Sequence, residues 1–295
     1  MRATTSCPKE RKNREIFAER LAWGTDYLKK RGVPSPRHDA EQLLAFLLQR
    51  NRFDLYLSPP ELSVHDHDSY QSLIFRRGER EPLQYLLGEV SFYGRAFTVD
   101  RHVLIPRQET ELLIDEVLRR AGASQEIIEI GTGSGCIAVT LACEKPEAKI
   151  LAVDVSTDAL LLARGNADRH RVGHRIRWMV GNGLQAVRSV HAVDLLIANL
   201  PYVPESSRDL LQPEVRDFEP PVALFGGPDG LALIRDLIGN VRSVLRPGGL
   251  LALEIGAEQG KSVEALLGDV EGFERVEVLK DFAGLDRMVF ARPIE

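Results

Sequence analysis

From about residue 106 the chain alternates short apolar runs with segments of helical spacing, and this alternation restricts the fold more than any other feature. "EIIEI" reads as a strand, followed by glycines and the helix "GCIAVTLACEK". "KILAVDV" and the helix "TDALLLARGNADRH" repeat the pattern, and "IRWMVG" and "VDLLIANL" are further strands. "GLALIRDLIGNVRSVL" reads as a helix ending before Arg246-Pro247-Gly248-Gly249, with "LLALEIG" as the next strand. Strands that alternate with helices pair in parallel through crossovers. The last two runs, "RVEVLKDF" and "DRMVFARP", have only "AGL" between them. That gap is too short for a crossover, so these two pair antiparallel. The expected fold class is α/β: a mostly parallel sheet with helices on both faces and an antiparallel addition at its end.

Ahead of residue 90 helical spacing dominates. "EIFAERLAWGTDYLKKRG" places Phe17, Leu21 and Leu28 on one stripe, and Gly32 stops the helix. "SPRHDAEQLLAFLLQR" opens with Ser35 as a candidate cap and Pro36 at the first helical position, with Ala40, Leu43, Leu44 and Leu47 inward. "SVHDHDSYQSLIFRRGER" turns Tyr70, Leu73 and Ile74 inward. Short amphipathic helices with short connections read as a small bundle. His65 and His67, beside Asp66 and Asp68, read as solvated loop histidines rather than a metal site. "GEVSFYGRAFTVDRHVLI" is a β-hairpin around Gly94, joining the two parts. The expected organisation is a helical domain over residues 1–87, a hairpin linker over 88–105 and an α/β domain over 106–295.

Composition narrows the classes. A net charge of -5 gives no support to non-specific nucleic-acid binding. The basic group Lys9, Arg11, Lys12 and Arg14 reads as a solvated terminus. Cys7, Cys136 and Cys143 are scattered without a Cys-x-x-Cys pair, which fits a reducing cytoplasm and argues against a thiolate metal site. No apolar run approaches the roughly 18 residues of a membrane span, and the N-terminus lacks the apolar core of a signal peptide. The expectation is a soluble intracellular protein.

Three strand ends carry candidate binding chemistry. In "EIGTGSGC", the loop Gly131-Thr132-Gly133-Ser134-Gly135 follows a strand and opens a helix, so its backbone turns tightly and approaches a ligand closely. A dinucleotide fingerprint needs glycine at 136, where Cys136 stands. The G-x-G-x-G spacing resembles the one typical of nucleoside-binding methyltransferases, although a structural strand–helix turn uses similar glycines. "ILAVDVS" ends on Asp154, about 20 residues further on, where a carboxylate accepts from both ribose hydroxyls. Its alternative is a helix cap, a role open to Ser156 or Thr157 instead. Asn182-Gly183 ends the third strand, suited to an adenine edge and face, or to an ordinary turn.

The fourth strand ends in Asn199-Leu200-Pro201-Tyr202. The Asn199 side-chain oxygen and the carbonyl of Leu200 are two acceptors, and Pro201 biases Leu200 towards an extended conformation. Such a pair suits a planar –NH2, with Tyr202 offering a ring beside it. An amide nitrogen is a poor nucleophile. Two acceptors on its hydrogens orient the lone pair and disperse positive charge as a new N–C bond forms. Alignment for in-line attack on a sulfonium methyl contributes up to roughly 7–11 kcal/mol in favourable analogues. The N-alkylated amide is acidic and sheds its proton readily, so no strong base is needed beforehand.

These residues resemble the Asn-Pro-Pro-Tyr signature of amino- and amide-group methyltransferases. "EPLQYLLGEVSFYGRAFTVDRHVLIPRQETELLIDEVL" (81–118) closely resembles the hairpin and entry helix of the release-factor glutamine methyltransferases of the HemK/PrmC type. "IGTGSGCIA", "ANLPYV", "FEPPVALFGGPDGL" and "LRPGGLLALEIG" are similar to the same family in order, as is "LAWGTDYLKKRGVPSPRHDAEQLLA". The resemblance implies a Rossmann-like class I methyltransferase sheet and S-adenosyl-L-methionine as methyl donor. It also implies methylation of the glutamine in the Gly-Gly-Gln loop of peptide chain release factors, with the helical domain helping to grip the factor. It marks Asn199, Leu200, Pro201 and Tyr202 as catalytic. It marks Gly131, Thr132, Gly133, Ser134, Gly135, Asp154, Asn182, Gly183 and Asn199 as cofactor-binding. Three positions depart from the pattern: Glu129 and Asn182 stand where Asp is common, and Leu200 replaces the first proline. Activity is expected to survive, because the Leu200 carbonyl is retained and Pro201 still constrains it. Arg107, Glu109 and Thr110 either close over the cofactor or simply start a helix. Phe218, Glu219 and Pro220 either border the target pocket or form a surface loop. Rival readings are a ribosomal-protein glutamine methyltransferase, an adenine methyltransferase of DNA or RNA, and a binding module that transfers nothing.

Overall fold

The computed structural model describes residues 8–122, 125–187 and 193–294; Cys7 lies outside them. The chain forms two compact units. One comprises residues up to Gly88 together with Pro213–Phe218, and the other comprises Glu89–Gln212 and Glu219–Glu295.

The smaller unit is helical: α1 (Pro8–Lys30), α2 (Pro36–Leu47), α3 (Arg52–Leu57), α4 (Val64–Gly78) and α5 (Leu83–Leu87). Phe17, Leu21 and Leu28 from α1 meet Ala40, Leu43 and Leu44 from α2 and Tyr70 and Ile74 from α4 in one apolar core. Leu47 and Leu73 pack only partly buried against it. The basic group Lys9 to Arg14 lies within α1 rather than ahead of it, with Lys12 and Arg14 exposed. Ser35 occupies the cap position of α2, but its side chain makes no capping bond; Pro36 at the first position supplies the helical φ instead. Ser63 and Asp66 form a reciprocal capping box on α4. His65 and His67 therefore sit in the first turn of a helix, not in a loop. No metal-competent cluster of His, Cys, Asp or Glu occurs among the described residues.

Polar chemistry reinforces the small unit. Arg77, 5% exposed, donates Nε to Asp39 Oδ2 at 2.8 Å and Nη2 to Glu214 Oε1 at 2.9 Å. Arg80 grips both oxygens of the same Glu214, at 2.8 and 2.5 Å. Glu214 comes from a short helix far along the chain, Pro213–Phe218, which these bonds tie into the helical unit.

The larger unit opens with the hairpin β1 (Glu89–Phe92) and β2 (Arg95–Thr98). Tyr93 and Gly94 both have positive φ, 50° and 69°, as the tight two-residue turn of a right-twisted hairpin requires. The hairpin is part of this unit rather than a free link: Phe92 and Phe97 stack edge-on at 5.8 Å inside its core. After α6 (Gln108–Arg120), the strands β3 (Glu126–Ile130), β4 (Lys149–Asp154), β5 (Ile176–Val180), β6 (Val193–Asn199), β7 (Leu245–Glu254), β8 (Phe273–Lys280) and β9 (Asp286–Pro293) form one sheet. Their order is β5-β4-β3-β6-β7-β9-β8, parallel through β7, with β9 antiparallel to both β7 and β8. This is the mostly parallel sheet with an antiparallel end that the spacing predicts.

The continuous apolar runs follow from burial on both faces. Ile127, Leu195 and Ile197 face one core, shared with helices at 108–120 and Cys136–Glu144. Ile128, Leu196 and Ala198 face the other, with Ile234, Leu237 and Val263 from the helices Ala232–Asn240 and Gly260–Gly268. Arg246-Pro247-Gly248-Gly249 does not sit outside the strand as expected. The β6–β7 register jumps from Val193↔Leu245 to Leu195↔Leu250, so these four residues are absorbed as an irregularity within β7. Asp194 is structural: its Oδ2 accepts the backbone N–H of Gln125 and Glu126 at the start of β3. The chain winds outward from β3 to β5, then crosses back to β6 on the other side of β3. Loops after β3 and β6 diverge there and leave a crevice at their carboxyl ends.

Candidate active site

A cleft with about 1190 Å³ of free space, part of it open to solvent, lies at that crevice. All its walls belong to the larger unit. Gly131, Thr132, Gly133 and Ser134 line it, with Asp154 from the end of β4, Asn182 and Gly183 after β5, and Asn199, Leu200 and Pro201 after β6. Four separate strand ends thus converge on one cavity. Gly135 and Tyr202 are not on its wall.

The glycines divide the work. Gly133 has φ +54°, and a Cβ there would meet nothing within 4 Å, so its bare backbone faces open space where a ligand can approach. Gly135, at φ +78°, is a packing position instead: a Cβ would come within 3.0 Å of the Ala163 Cβ. Between them, Gly133 N–H donates to Asp154 Oδ2 at 2.8 Å, fixing the carboxylate against the loop. Ser156 N–H donates to the other oxygen at 2.9 Å. Ser156 also caps the next helix, Thr157–Arg169, by accepting from Ala159 N–H. The cap role is therefore filled by Ser156, and Asp154 keeps lone pairs for a ligand's hydroxyls.

Glu129, at the end of β3, is 1% exposed. Its Oε2 accepts from Thr132 Oγ1 at 2.7 Å and Ala138 N–H at 3.1 Å, while Oε1 has no partner among the described residues. Burial pushes its pKa up to about 8, against the lowering effect of those two bonds. A buried, unpaired carboxylate oxygen beside a cavity suits an ammonium-bearing ligand. Cys136 also lines the cavity, but burial raises its thiol to about 12, so it offers no thiolate nucleophile at neutral pH.

Among the described residues the Asn199 amide makes one polar bond, Nδ2 donating to Thr110 Oγ1 at 3.1 Å. Thr110, 2% exposed, donates in turn to Glu254 Oε2 at 2.6 Å. Neither Asn199 Oδ1 nor the Leu200 carbonyl is taken by a hydrogen bond among the described residues. Tyr202, half-buried, directs its hydroxyl to within 3.5 Å of Glu254 Oε1. Burial and the Glu254 charge raise its phenol to about 12, so it stays protonated. The segment after Asn199 is fastened along 224–227: Val203 N–H bonds to Leu224 O, Gly226 N–H to Val203 O, and Glu205 N–H to Gly227 O. Gln259 Nε2 donates to the Tyr202 carbonyl at 3.0 Å.

Arg107 and Thr110 both line the cavity, so the start of α6 borders it. Arg107 Nη2 grips both oxygens of buried Glu219, at 2.6 and 2.8 Å. Burial raises the Glu219 pKa, opposed by the Arg107 charge. From the "FEPPVAL" segment it is Val222 and Ala223 that reach the cavity; Phe218, Glu219 and Pro220 do not line it. Sequence reasoning missed Glu254, although a lone acid inside "LLALEIG" was a visible signal. It also missed the Thr110 bond, which joins residues 89 and 144 positions apart and leaves no local trace.

Residues 19–88 match a family model described as the PrmC N-terminal domain, and residues 107–212 match the methyltransferase small domain. A release factor glutamine methyltransferase of Geobacter sulfurreducens is 39% identical, over 92% of this chain and 95% of its own. One from Koribacter versatilis is 40% identical, over 90% of this chain and 94% of its own. A crystal structure of a methyltransferase from Pyrococcus furiosus superimposes with a TM-score of 0.52 at 18% identity, covering 69% of this chain and 90% of that one. That likeness bears on the fold alone.

Proposed function

Because the chain belongs to the release factor glutamine methyltransferases, we propose that it methylates the side-chain nitrogen, N5, of the glutamine in the Gly-Gly-Gln motif of peptide chain release factors. S-adenosyl-L-methionine, when bound, supplies a sulfonium-activated methyl group. The chain's residues fit such a donor. Asp154 retains acceptor capacity for vicinal hydroxyls, Gly133 offers bare backbone, and Glu129 has an unpartnered oxygen for an ammonium. Asn182 and Gly183 line the same cavity and suit the edge and face of a planar base.

The target amide is a weak nucleophile, so the protein's task is orientation and charge dispersal. Asn199 Oδ1 and the Leu200 carbonyl accept the two hydrogens of the target –NH2. They turn the nitrogen lone pair towards the donor and stabilise positive charge on nitrogen as the bond forms. Leu200 in place of proline leaves this function intact, since the group used is a main-chain carbonyl. No general base is required before attack, in keeping with Tyr202 and Cys136 both being protonated at neutral pH. The observation that carries this reading is the Asn199 Nδ2–Thr110 bond, which turns the nitrogen end of the amide away and leaves the oxygen end free. In this reading the enzyme works in the cytoplasm, with release factors as protein substrates and no direct contact to nucleic acid.

The test is methyl transfer from labelled donor to purified, unmethylated release factor. Asn199→Ala is expected to lower kcat, measured at saturating donor, by about 10²–10³, the usual effect of deleting one such charge-stabilising group. A rate equal to the parent enzyme would remove the amide clamp.

A further inference from the structure

Glu254 is the last residue of β7, an acid closing the buried apolar run Leu250–Leu253, 1% exposed, and it needs a reason. It makes no ion pair among the described residues. Thr110 Oγ1 bonds it from α6 at 2.6 Å, and the Tyr202 hydroxyl stands at 3.5 Å. The charged groups acting on it are Arg287 from β9 and Glu109 from α6, and the Cys136 thiol also feels its charge.

Counting hydrogens settles what this arrangement does. A threonine hydroxyl has one hydrogen, and a carboxylate has none to give. With Glu254 ionised, the Thr110 hydrogen must point at Glu254. Thr110 Oγ1 then presents only lone pairs to Asn199, so the group facing it must be the Asn199 nitrogen. We propose that Thr110 and Glu254 are positioning residues that set the polarity of the Asn199 amide, fixing its oxygen as the end offered to the target glutamine. This rests on the amide-clamp reading above and extends it to what makes the clamp an acceptor.

The consequence of protonating Glu254 follows. A hydrogen carried on Glu254 Oε2 points at Thr110 Oγ1, and the Thr110 hydrogen is released to turn towards Asn199. The amide is then free to rotate by 180° about its last torsion, which exchanges oxygen and nitrogen with almost no change of shape. A nitrogen donor would face the two hydrogens of the target –NH2, leaving the Leu200 carbonyl as sole acceptor. Burial holds the Glu254 pKa up at about 7, so this exchange falls near neutral pH. The acceptor form gains population as pH rises through that value, and kcat rises with it to a plateau.

Glu129 lines the same cavity with a pKa of about 8, so variants must assign the pH limb. Thr110→Val keeps the side-chain shape and removes the relay. It is expected to lower kcat about tenfold at pH 8, the equivalent of about 1.4 kcal/mol, with the KM for the methyl donor unchanged and the acid limb lost. Thr110→Ser should restore both rate and limb. Glu254→Gln should remove the limb, and Glu129→Gln should keep it. A second readout is independent of turnover. The side-chain 15N–1H signals of Asn199, assigned by their loss in Asn199→Ala, should shift with pH around 7 in the parent protein and stay still in Thr110→Val. If Asn199→Ala is inactive while Thr110→Val keeps the parental kcat and pH limb, the relay is wrong and the clamp stands. If Asn199→Ala itself is fully active, the clamp fails first. Asn199 signals that do not move with pH in the parent protein also overturn the relay.

Discussion

Two sets of acids, Asp39 and Glu214 in the helical unit and Glu129 and Glu254 in the α/β unit, are treated in opposite ways. In the helical unit, Asp39 and Glu214 are each bonded to a guanidinium, and both converge on Arg77. Burial alone would raise Glu214, but bonds from Arg80 and Arg77 hold it below the ordinary carboxylate range. In the α/β unit, Glu129 and Glu254 are more deeply buried and have only neutral donors bonded to them. Burial lifts them to about 8 and about 7. The guanidinium-bonded acids serve structure, and Glu214 stays ionised. The others keep a proton within reach of neutral pH and stand at the sheet edge that forms the cavity.

The strongest way to break this comparison is to remove the shared cation. Arg77→Ala leaves Asp39 and Glu214 buried with only part of their compensation, and losing one partner of a buried pair typically costs about 3–5 kcal/mol. The chain has two tryptophans, Trp23 in the helical unit and Trp178 in β5. In a Trp178→Phe background, urea unfolding followed by Trp23 fluorescence reports the helical unit. A loss below about 1 kcal/mol would mean that the cluster is not structural.

Glu129→Gln probes the other side, with a smaller effect. The folded pKa lies above the unfolded value, so the folded state retains a proton that the unfolded chain releases. That contribution to stability is fully present below the unfolded pKa of about 4.3 and is lost as pH rises through about 8. The ligand-free enzyme should therefore lose stability between about pH 5 and pH 8, and Glu129→Gln should lose less, by about 2–5 °C in melting midpoint. Glu214 has the reverse sign, its contribution being lost as pH falls. Identical pH slopes for parent and variant would show that Glu129 is already ionised in the folded protein.

Much of this was legible in the sequence, for identifiable reasons. Strands buried on both faces leave continuous apolar runs, and the three residues between the last two runs dictate antiparallel pairing. The glycine loop, Asp154 and Asn182 stand out as candidates because each lies at a strand end, and parallel strands deliver their ends to one edge. The pairings that give the acids their character left no such trace. Arg77 meets Glu214 across 137 positions, and Thr110 meets Glu254 across 144. Nor does any local pattern announce that the Tyr202 hydroxyl turns towards Glu254, 52 positions away. Gly135 looked like its neighbours in the loop, but only the approach of Ala163 distinguishes it.

The smallest expected effect sharpens the comparison by isolating burial from geometry. Arg76 and Glu81 form a two-point pair, Nε to Oε2 at 2.8 Å and Nη2 to Oε1 at 2.6 Å, as well made as the Arg80–Glu214 contact. Their side chains are 50% and 20% exposed, against 21% and 12% for Arg80 and Glu214. Water then competes for both partners, and breaking the pair leaves no stranded charge. Glu81→Gln should cost about 1 kcal/mol or less, and the difference should shrink further in high salt, where exposed charges are screened. The backbone carbonyl of Glu81 that accepts from Arg77 is untouched by this change. A loss approaching that of Arg77→Ala would mean that bonding geometry, rather than exclusion of water, gives the helical unit's charge cluster its strength.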